Sequence, residues 1–256
     1  MFQSPSPKHQ KTIGVLGGCS HVSTAEYYTH LNDAANKRLG GFEIAETLIA
    51  GMNWGIVKAY LEASDWAGLA SYMDVNVGRL KAGGAELLIC GSNTLHHDLE
   101  EIAKRHELPF LHIADPTGRA IRAQGLRKVA LLGTRHSMEG DHLSQHYSSL
   151  FGLEIVVPNE WERGEIDRII FDELVNFDVR DASRDIYLAA VDRLVAEQGV
   201  EGVILGCTEI YTLIEQKHRP DLPMFDTTRL HCEAAVDMAL GIEPTAIEVC
   251  LPAQSG

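Results

Sequence analysis

The 256-residue sequence is 45% apolar, 7% aromatic and 23% charged, the proportions of an ordinary globular protein with room for one large or two small domains. Its 36 acidic residues outnumber 22 Lys and Arg for a net charge of −14, and without a basic run this excludes nucleic-acid backbone binding as the main activity. No apolar run approaches the ~18 residues that span a bilayer, and the opening MFQSPSPKHQ lacks a signal-peptide core, so a cytoplasmic protein with no membrane partner is expected.

After a polar arm over 1–10, TIGVLGG reads as a buried strand entering a glycine turn. STAEYYTHLNDAANKRLGG follows as a helix, with Tyr28, Leu31 and Ala35 at helical spacing, Ser23 as its cap and Gly40 as its end. FEIAETLIAGM reads as a second strand, SDWAGLASYMDVNVGRLKAGG as a long helix and ELLICGSN as a buried strand. HHDLEEIAKRHEL gives a further helix, with Leu95, Leu99 and Ile102 on one face, and LPFLHIAD the next strand. Strands alternating with helices predict an α/β protein with parallel sheets covered on both faces.

The second half restates the first at an offset of about 115 residues. KTIGVLGG matches RKVALLGT, with Gly17 opposite Gly133. YMDVNVGRLKAGGAELLICGSN matches YLAAVDRLVAEQGVEGVILGCT, placing Tyr72 opposite Tyr187 and Ser92 opposite Cys207, and LPFLH matches LPMFD with Pro109 opposite Pro223. The expectation is two pseudo-symmetric doubly wound parallel-sheet domains, 11–114 with 227–256 and 115–226. Ligands of such sheets bind beyond the carboxyl ends of the strands, which puts Ser92 and Cys207 on opposite sides of one cleft.

The five cysteines, Cys19, Cys90, Cys207, Cys232 and Cys250, form no C-x-x-C pair or close Cys/His ligand spacing, so neither a disulfide framework nor a metal site is expected. Three of them read as small buried hydrophobes.

From Lys11 to about Gly241 the chain resembles the cofactor-independent aspartate/glutamate racemases. The carriers are GVLGGCSHVST, GSNTLHH, LPFLHIADPTGRAI, LLGTRHSME, VILGCTE, and LPMFDTT followed by HCEAA, in that order and spacing. The resemblance implies a racemase-like fold, a homodimer and no cofactor. It implies two facing thiols, one before Asn-Thr and one before Thr-Glu, that remove an α-proton from one face and return it on the other. Cys207 fits the second. The residue before Asn93-Thr94 is Ser92, with Cys90 two positions earlier and about 6–7 Å further back along the strand, where a core role is expected.

A serine hydroxyl is a far weaker acid than a thiol, whose reference pKa is ~8.5, so Ser92 suits proton donation or relay rather than the role of base. The expected chemistry is therefore asymmetric, with Cys207 as the base and the reverse direction slow or absent; the resemblance implies that the second-half thiol serves the L-enantiomer. Backbone N–H groups at helix starts after Ser92 and Cys207 would stabilise the carbanion. By resemblance, Asn93, Thr94 and Thr208 bind the substrate carboxylate and amine, and Asn53 and His96 match family positions. Gly17 allows close backbone approach, and Thr134 and Ser137 are candidate hydroxyl donors. Glu209 either orients the ammonium and tunes the thiol or complements a helix dipole. His112 and His231 read as structural, and only one of His96 and His97 is expected to face the cleft.

Acidic-substrate relatives hold the side-chain carboxylate with a cation, and Glu165 stands where a lysine is expected. Arg163, Lys58 and Arg135 are the candidate substitutes. The function expected is racemisation of an acidic amino acid such as aspartate or glutamate, or of a neutral one in a looser pocket. Two alternatives remain at this point: a one-cysteine lyase, decarboxylase or cis/trans isomerase of a small carboxylic acid, and a non-catalytic amino-acid binding protein.

Overall fold

The computed structural model describes residues 10–242. The arm up to residue 9, Cys250 and the C-terminal part of the first expected domain lie outside the described residues. In chain order the elements are β1 (Ile13–Leu16), α1 (His21–Leu39), β2 (Thr47–Ala50), α2 (Trp54–Glu62), α3 (Trp66–Ala82), β3 (Leu87–Cys90), α4 (Leu99–Arg105), α5 (Ala114–Ala123), β4 (Lys128–Gly133), α6 (Arg135–Glu139), α7 (Asp141–Phe151), β5 (Glu154–Val156), α8 (Glu160–Asp172), α9 (Asp181–Gln198), β6 (Val203–Gly206), α10 (Ile210–Leu213), β7 (Met224–Asp226) and α11 (Thr227–Leu240).

Two parallel sheets result, ordered β2-β1-β3 and β5-β4-β6-β7. The all-apolar β1 (IGVL) and β3 (LLIC) are buried along their whole length, as parallel strands covered by helices on both faces must be. Side-chain alternation splits each sheet's core in two. Leu16, Leu88 and Cys90 face the layer built by α2, α3 and α4, whereas Ile13, Val15, Leu87 and Ile89 pack on Tyr27 and Leu31 of α1 and on Cys232 and Val236 of α11. In the second sheet, Leu132 and Leu205 pack on α8 and α9, and Leu131 and Ile204 on α5, α7 and Leu230 of α11. Helix α11 thus touches both sheets. Among the described residues no helix is long and apolar enough to cross a membrane.

The two halves repeat in detail. The Glu86 backbone N–H donates to the Thr12 carbonyl at 2.9 Å and that of Glu201 to Lys128 at 2.8 Å. Each carboxylate bonds back to the same strand start, accepting from Thr12 N–H at 2.9 Å and from Lys128 N–H at 3.0 Å. Pro109 and Pro223, paired by the sequence repeat, accept from Leu88 N–H (2.8 Å) and Val203 N–H (2.9 Å).

Several local expectations change. Ser20, not Ser23, caps α1, its hydroxyl accepting from Ser23 N–H, and the buried aromatic is Tyr27 while Tyr28 is 46% exposed. The cap moves because the helix starts at His21, and the buried face runs through Tyr27, Leu31, Ala34 and Ala35 because that side packs on α11. LPFLHIAD contributes only a single parallel bridge, Leu88 to Phe110, before α5 begins. The helix expected over HHDLEEIAKRHEL starts at Leu99, after a single 3-10 turn over Thr94–His96. Helix α2 emerges where no element was expected, capped by Asn53.

Candidate active site

A cavity opens between the halves at the carboxyl ends of β1, β3, β4 and β6, where open α/β sheets bind ligands. From the first half it is lined by Cys19 and Ser20 in the turn after β1 and by Ser92, Asn93 and Thr94 in the turn after β3. From the second half come Thr134, Cys207, Thr208 and Glu209.

Glu209 is the electrostatic centre of this cavity. It is 4% exposed, and its carboxylate accepts from Ser20 Oγ (2.7 Å), Thr208 Oγ1 (2.5 Å) and Cys207 Sγ (3.0 Å). All three donors are neutral. A buried carboxylate satisfied only by neutral groups retains its full charge for a cation that enters beside it. The same charge acts on Cys207: burial pushes its thiol well above the usual range, and the neighbouring carboxylate adds to that effect.

Thr94, Thr134 and Ser137 form a triangle of hydroxyls that joins the halves. Thr94 Oγ1 lies 3.1 Å from Thr134 Oγ1 and 3.2 Å from Ser137 Oγ, and Thr134 Oγ1 donates to Ser137 Oγ at 3.2 Å. Thr134 and Ser20 are also N-caps in equivalent turns, of α6 and α1. Asn93 donates through Nδ2 to Thr227 Oγ1 at 3.1 Å, and its buried Oδ1 has no partner. A buried acceptor without a donor is costly, and in a residue lining a cavity it fits a ligand N–H.

The helix starts expected beside the thiols are single turns, Thr94–His96 in 3-10 form and α10 with four residues. Too little backbone is aligned for a substantial macrodipole, so individual N–H groups and hydroxyls must stabilise developing charge.

Ser92 is 7% exposed and its hydroxyl lies 3.3 Å from the Sγ of Cys19, a contact that sequence reading missed. Cys90 is fully buried in the first core, as its strand position suggests. His96 is buried outside the cavity lining, with Nδ1 at 2.7 Å from the Ser92 carbonyl, and His97 pairs with Asp98 at 2.9 Å. His231 bridges Tyr27 Oη (2.8 Å) and the Leu111 carbonyl (3.0 Å), a structural role.

Three expected ligand positions fall outside the lining, Ser137 among them, buried behind Thr94 and Thr134. Gly17 donates its N–H to the Ala50 carbonyl at 2.9 Å, and Asn53 is exposed, its side chain accepting from Gly55 N–H at the start of α2. That helix brings Trp54 and Leu61 to the cavity, facing Ile170 and Phe171 of α8 and Val175, and the Trp54 and Phe171 rings stack at 5.7 Å. Among the described residues no Lys or Arg lines this cavity, but an adjoining one that shares Trp54, Leu61, His136 and Phe171 with it is lined by Lys58 and Arg135. Arg163 and Arg135 both engage Glu139, at 2.9 and 3.0 Å, Lys58 engages Glu62, and Glu165 pairs with Arg168.

Away from the cavity, His112, Asp115 and His146 offer three potential ligand atoms within 4.8 Å of one another, a grouping absent from the sequence reading. The His112 ring stacks on His146 at 3.8 Å and its Nδ1 accepts from Ala114 N–H, which leaves the proton on Nε2 rather than a free lone pair there.

Residues 16–235 match the family described as Asp/Glu/Hydantoin racemase. A crystal structure of a Yersinia pestis protein assigned to the Asp/Glu racemases is 36% identical with a TM-score of 0.83, covering 90% of this chain and 99% of that one. An aspartate racemase homologue from Pyrococcus horikoshii is 30% identical with a TM-score of 0.78 over the same shares. Picrophilus torridus aspartate racemase shares the fold at 19% identity and a TM-score of 0.72, over 90% and 94% of the two chains. The chain belongs to the Asp/Glu/hydantoin racemase family.

Proposed function

We propose that the protein racemises an α-amino acid without a cofactor, with Cys207 as the base that takes the α-proton of the L-enantiomer. The observation that carries this reading is the buried Glu209 carboxylate, held by neutral donors beside the Cys207 thiol in the cavity between the halves. A substrate ammonium at Glu209 offsets the charge that helps hold the proton on Cys207, so binding itself favours the thiolate. The thiolate then removes the α-proton and becomes a thiol. The electron pair of the broken C–H bond spreads into the α-carboxylate, which the Thr94 and Thr134 hydroxyls bind, backed by Ser137. The opposite face receives its proton from the first-half wall, where Ser92 lies.

The substrate side chain meets Trp54, Leu61, Ile170, Phe171 and Val175. Lys58 and Arg135 line the adjoining cavity but are paired with Glu62 and Glu139, and with Glu209 repelling a second carboxylate the site favours an uncharged side chain over the acidic one that the resemblance implies.

Proton NMR of L- and D-amino acids in deuterated water tests this reading. Loss of the α-proton signal, abolished for the L-enantiomer by Cys207→Ser and faster for methionine or leucine than for aspartate, is the expected result. An altered carbon skeleton would replace it with a lyase or decarboxylase, and shift perturbation without exchange with a binding protein.

A further inference from the structure

The β1–α1 turn brings a thiol to the first-half wall, where the turn after β3 has none. Strands β1 and β3 are adjacent and parallel, with Leu16 opposite Cys90, so their following turns emerge side by side. Contact between them is close enough that a Cβ on Gly18 would sit 2.1 Å from the Gly91 carbonyl oxygen. Glycine alone permits this approach. The next side chain, Cys19, is thereby set with its Sγ 3.3 Å from Ser92 Oγ. Of the four described cysteines, Cys90 and Cys232 are buried in cores, whereas Cys19 and Cys207 are partly accessible and line the same cavity from opposite halves. Ser20, adjacent to Cys19, donates to the same Glu209 carboxylate as Cys207 does.

We propose that Cys19, held by Ser92, is the second proton-transferring group of this site and takes the α-proton of the D-enantiomer. The proposal rests on the racemase reading and replaces one-sided chemistry with a two-thiol exchange. In the D to L direction the Cys19 thiolate accepts the α-proton and becomes a thiol. The C–H electron pair moves into the α-carboxylate and returns to Cα as Cys207 gives its proton to the other face, leaving a Cys207 thiolate. Protons and charge balance with no further reactant. Ser92 is then a positioning residue, its hydroxyl donating to the Cys19 sulfur. Burial pushes the Cys19 thiol up to about 12, the Ser92 hydrogen bond pulls it down and the Glu209 charge raises it. A substrate ammonium at Glu209 offsets the last of these, so binding eases ionisation at either wall while the facing thiol keeps its proton.

The test is α-deuterium exchange from each enantiomer by wild type, Cys19→Ala, Ser92→Ala and Cys207→Ser, using the amino acid that wild type exchanges fastest. A positioned general base is worth about 10²–10⁴-fold. Cys19→Ala is expected to lose at least about 100-fold in exchange from the D-enantiomer while exchange from the L-enantiomer stays within about 10-fold; Cys207→Ser should show the mirror pattern. Ser92→Ala should shift the pH profile of D-exchange upward without moving that of L-exchange. Unchanged D-exchange in Cys19→Ala, or equal losses for both enantiomers, overturns the proposal while leaving the racemase reading intact. If wild type exchanges neither enantiomer of any amino acid, the racemase reading falls and takes this proposal with it. Should Cys19→Ala fail to fold, iodoacetamide mapping of wild type decides. Cys19 and Cys207 should both be alkylated and both protected by substrate, and an unprotected Cys19 overturns the proposal.

Discussion

Replacing Glu209 by Gln separates the two effects of its charge. The side chain keeps its volume in a site only 4% exposed, and Ser20 and Thr208 can reorient their hydroxyls toward an amide. What disappears is the negative charge 3.0 Å from the Cys207 sulfur. A hydrogen bond to a charged group contributes about 1.5–3 kcal/mol, and one pKa unit corresponds to about 1.4 kcal/mol, so the Cys207 thiol should ionise roughly 1–2 units lower in Glu209→Gln. Below both pKa values the thiolate fraction, and with it the alkylation rate, rises about 10–100-fold at a fixed pH. Substrate binding should move the other way, because the ammonium loses its counter-ion, and KM should rise by a similar factor. The assay is the pH dependence of iodoacetamide labelling at Cys207, read by peptide mass spectrometry, beside KM from α-deuterium exchange. A labelling profile that stays in place or moves to higher pH would refute the reasoning, since it would mean that Glu209 is not what opposes thiolate formation.

Gly18→Ala places a methyl group 2.1 Å from the Gly91 carbonyl oxygen, forcing the two turns apart. Overpacking of this kind costs about 1–3 kcal/mol, and a melting temperature lowered by several degrees with loss of exchange from both enantiomers is expected; a wild-type melting curve would contradict the packing. Trp54→Ala removes half of the stacked pair with Phe171, and KM for an apolar amino acid should rise about 10-fold or more while that for alanine changes little. Burial holds His96, His112 and His231 neutral, His112 down to about 2 and His231 to about 4. The unfolded chain takes up these protons near pH 6.5 and the folded chain does not, so stability falls as pH drops below 6.5, with a slope that rises from about 2 toward about 4 kcal/mol per pH unit for the three together before His231 itself titrates near pH 4. Urea midpoints at pH 7.5 and 5.5 check this, and a higher midpoint at 5.5 would reverse the sign.

Apolar runs flanked by glycine, and their return about 115 residues later, were enough to define the α/β class, the paired halves and the cleft that Ser92, Thr94, Thr134 and Cys207 line. These are readable because strand alternation and turn chemistry are local: a residue two positions past a buried strand must emerge at its carboxyl end. Helix boundaries were less legible, as Ser20 and Tyr27 show, because an amphipathic pattern tolerates a shift that only the packing of α1 on α11 settles. The placement of Cys19 against Ser92 was not local at all. It arises from two turns 73 residues apart meeting where β1 pairs with β3. Its only sequence signal was a cysteine directly after Gly17-Gly18. The same holds for Glu209, whose donors come from Ser20 as well as from its own turn, and for Arg163, Arg135 and Lys58, which their partners hold at Glu139 and Glu62 rather than in the cavity. Sequence determines which groups each turn presents; only tertiary structure decides which turns share a cavity, because that depends on strand order and on how closely glycine lets two backbones approach.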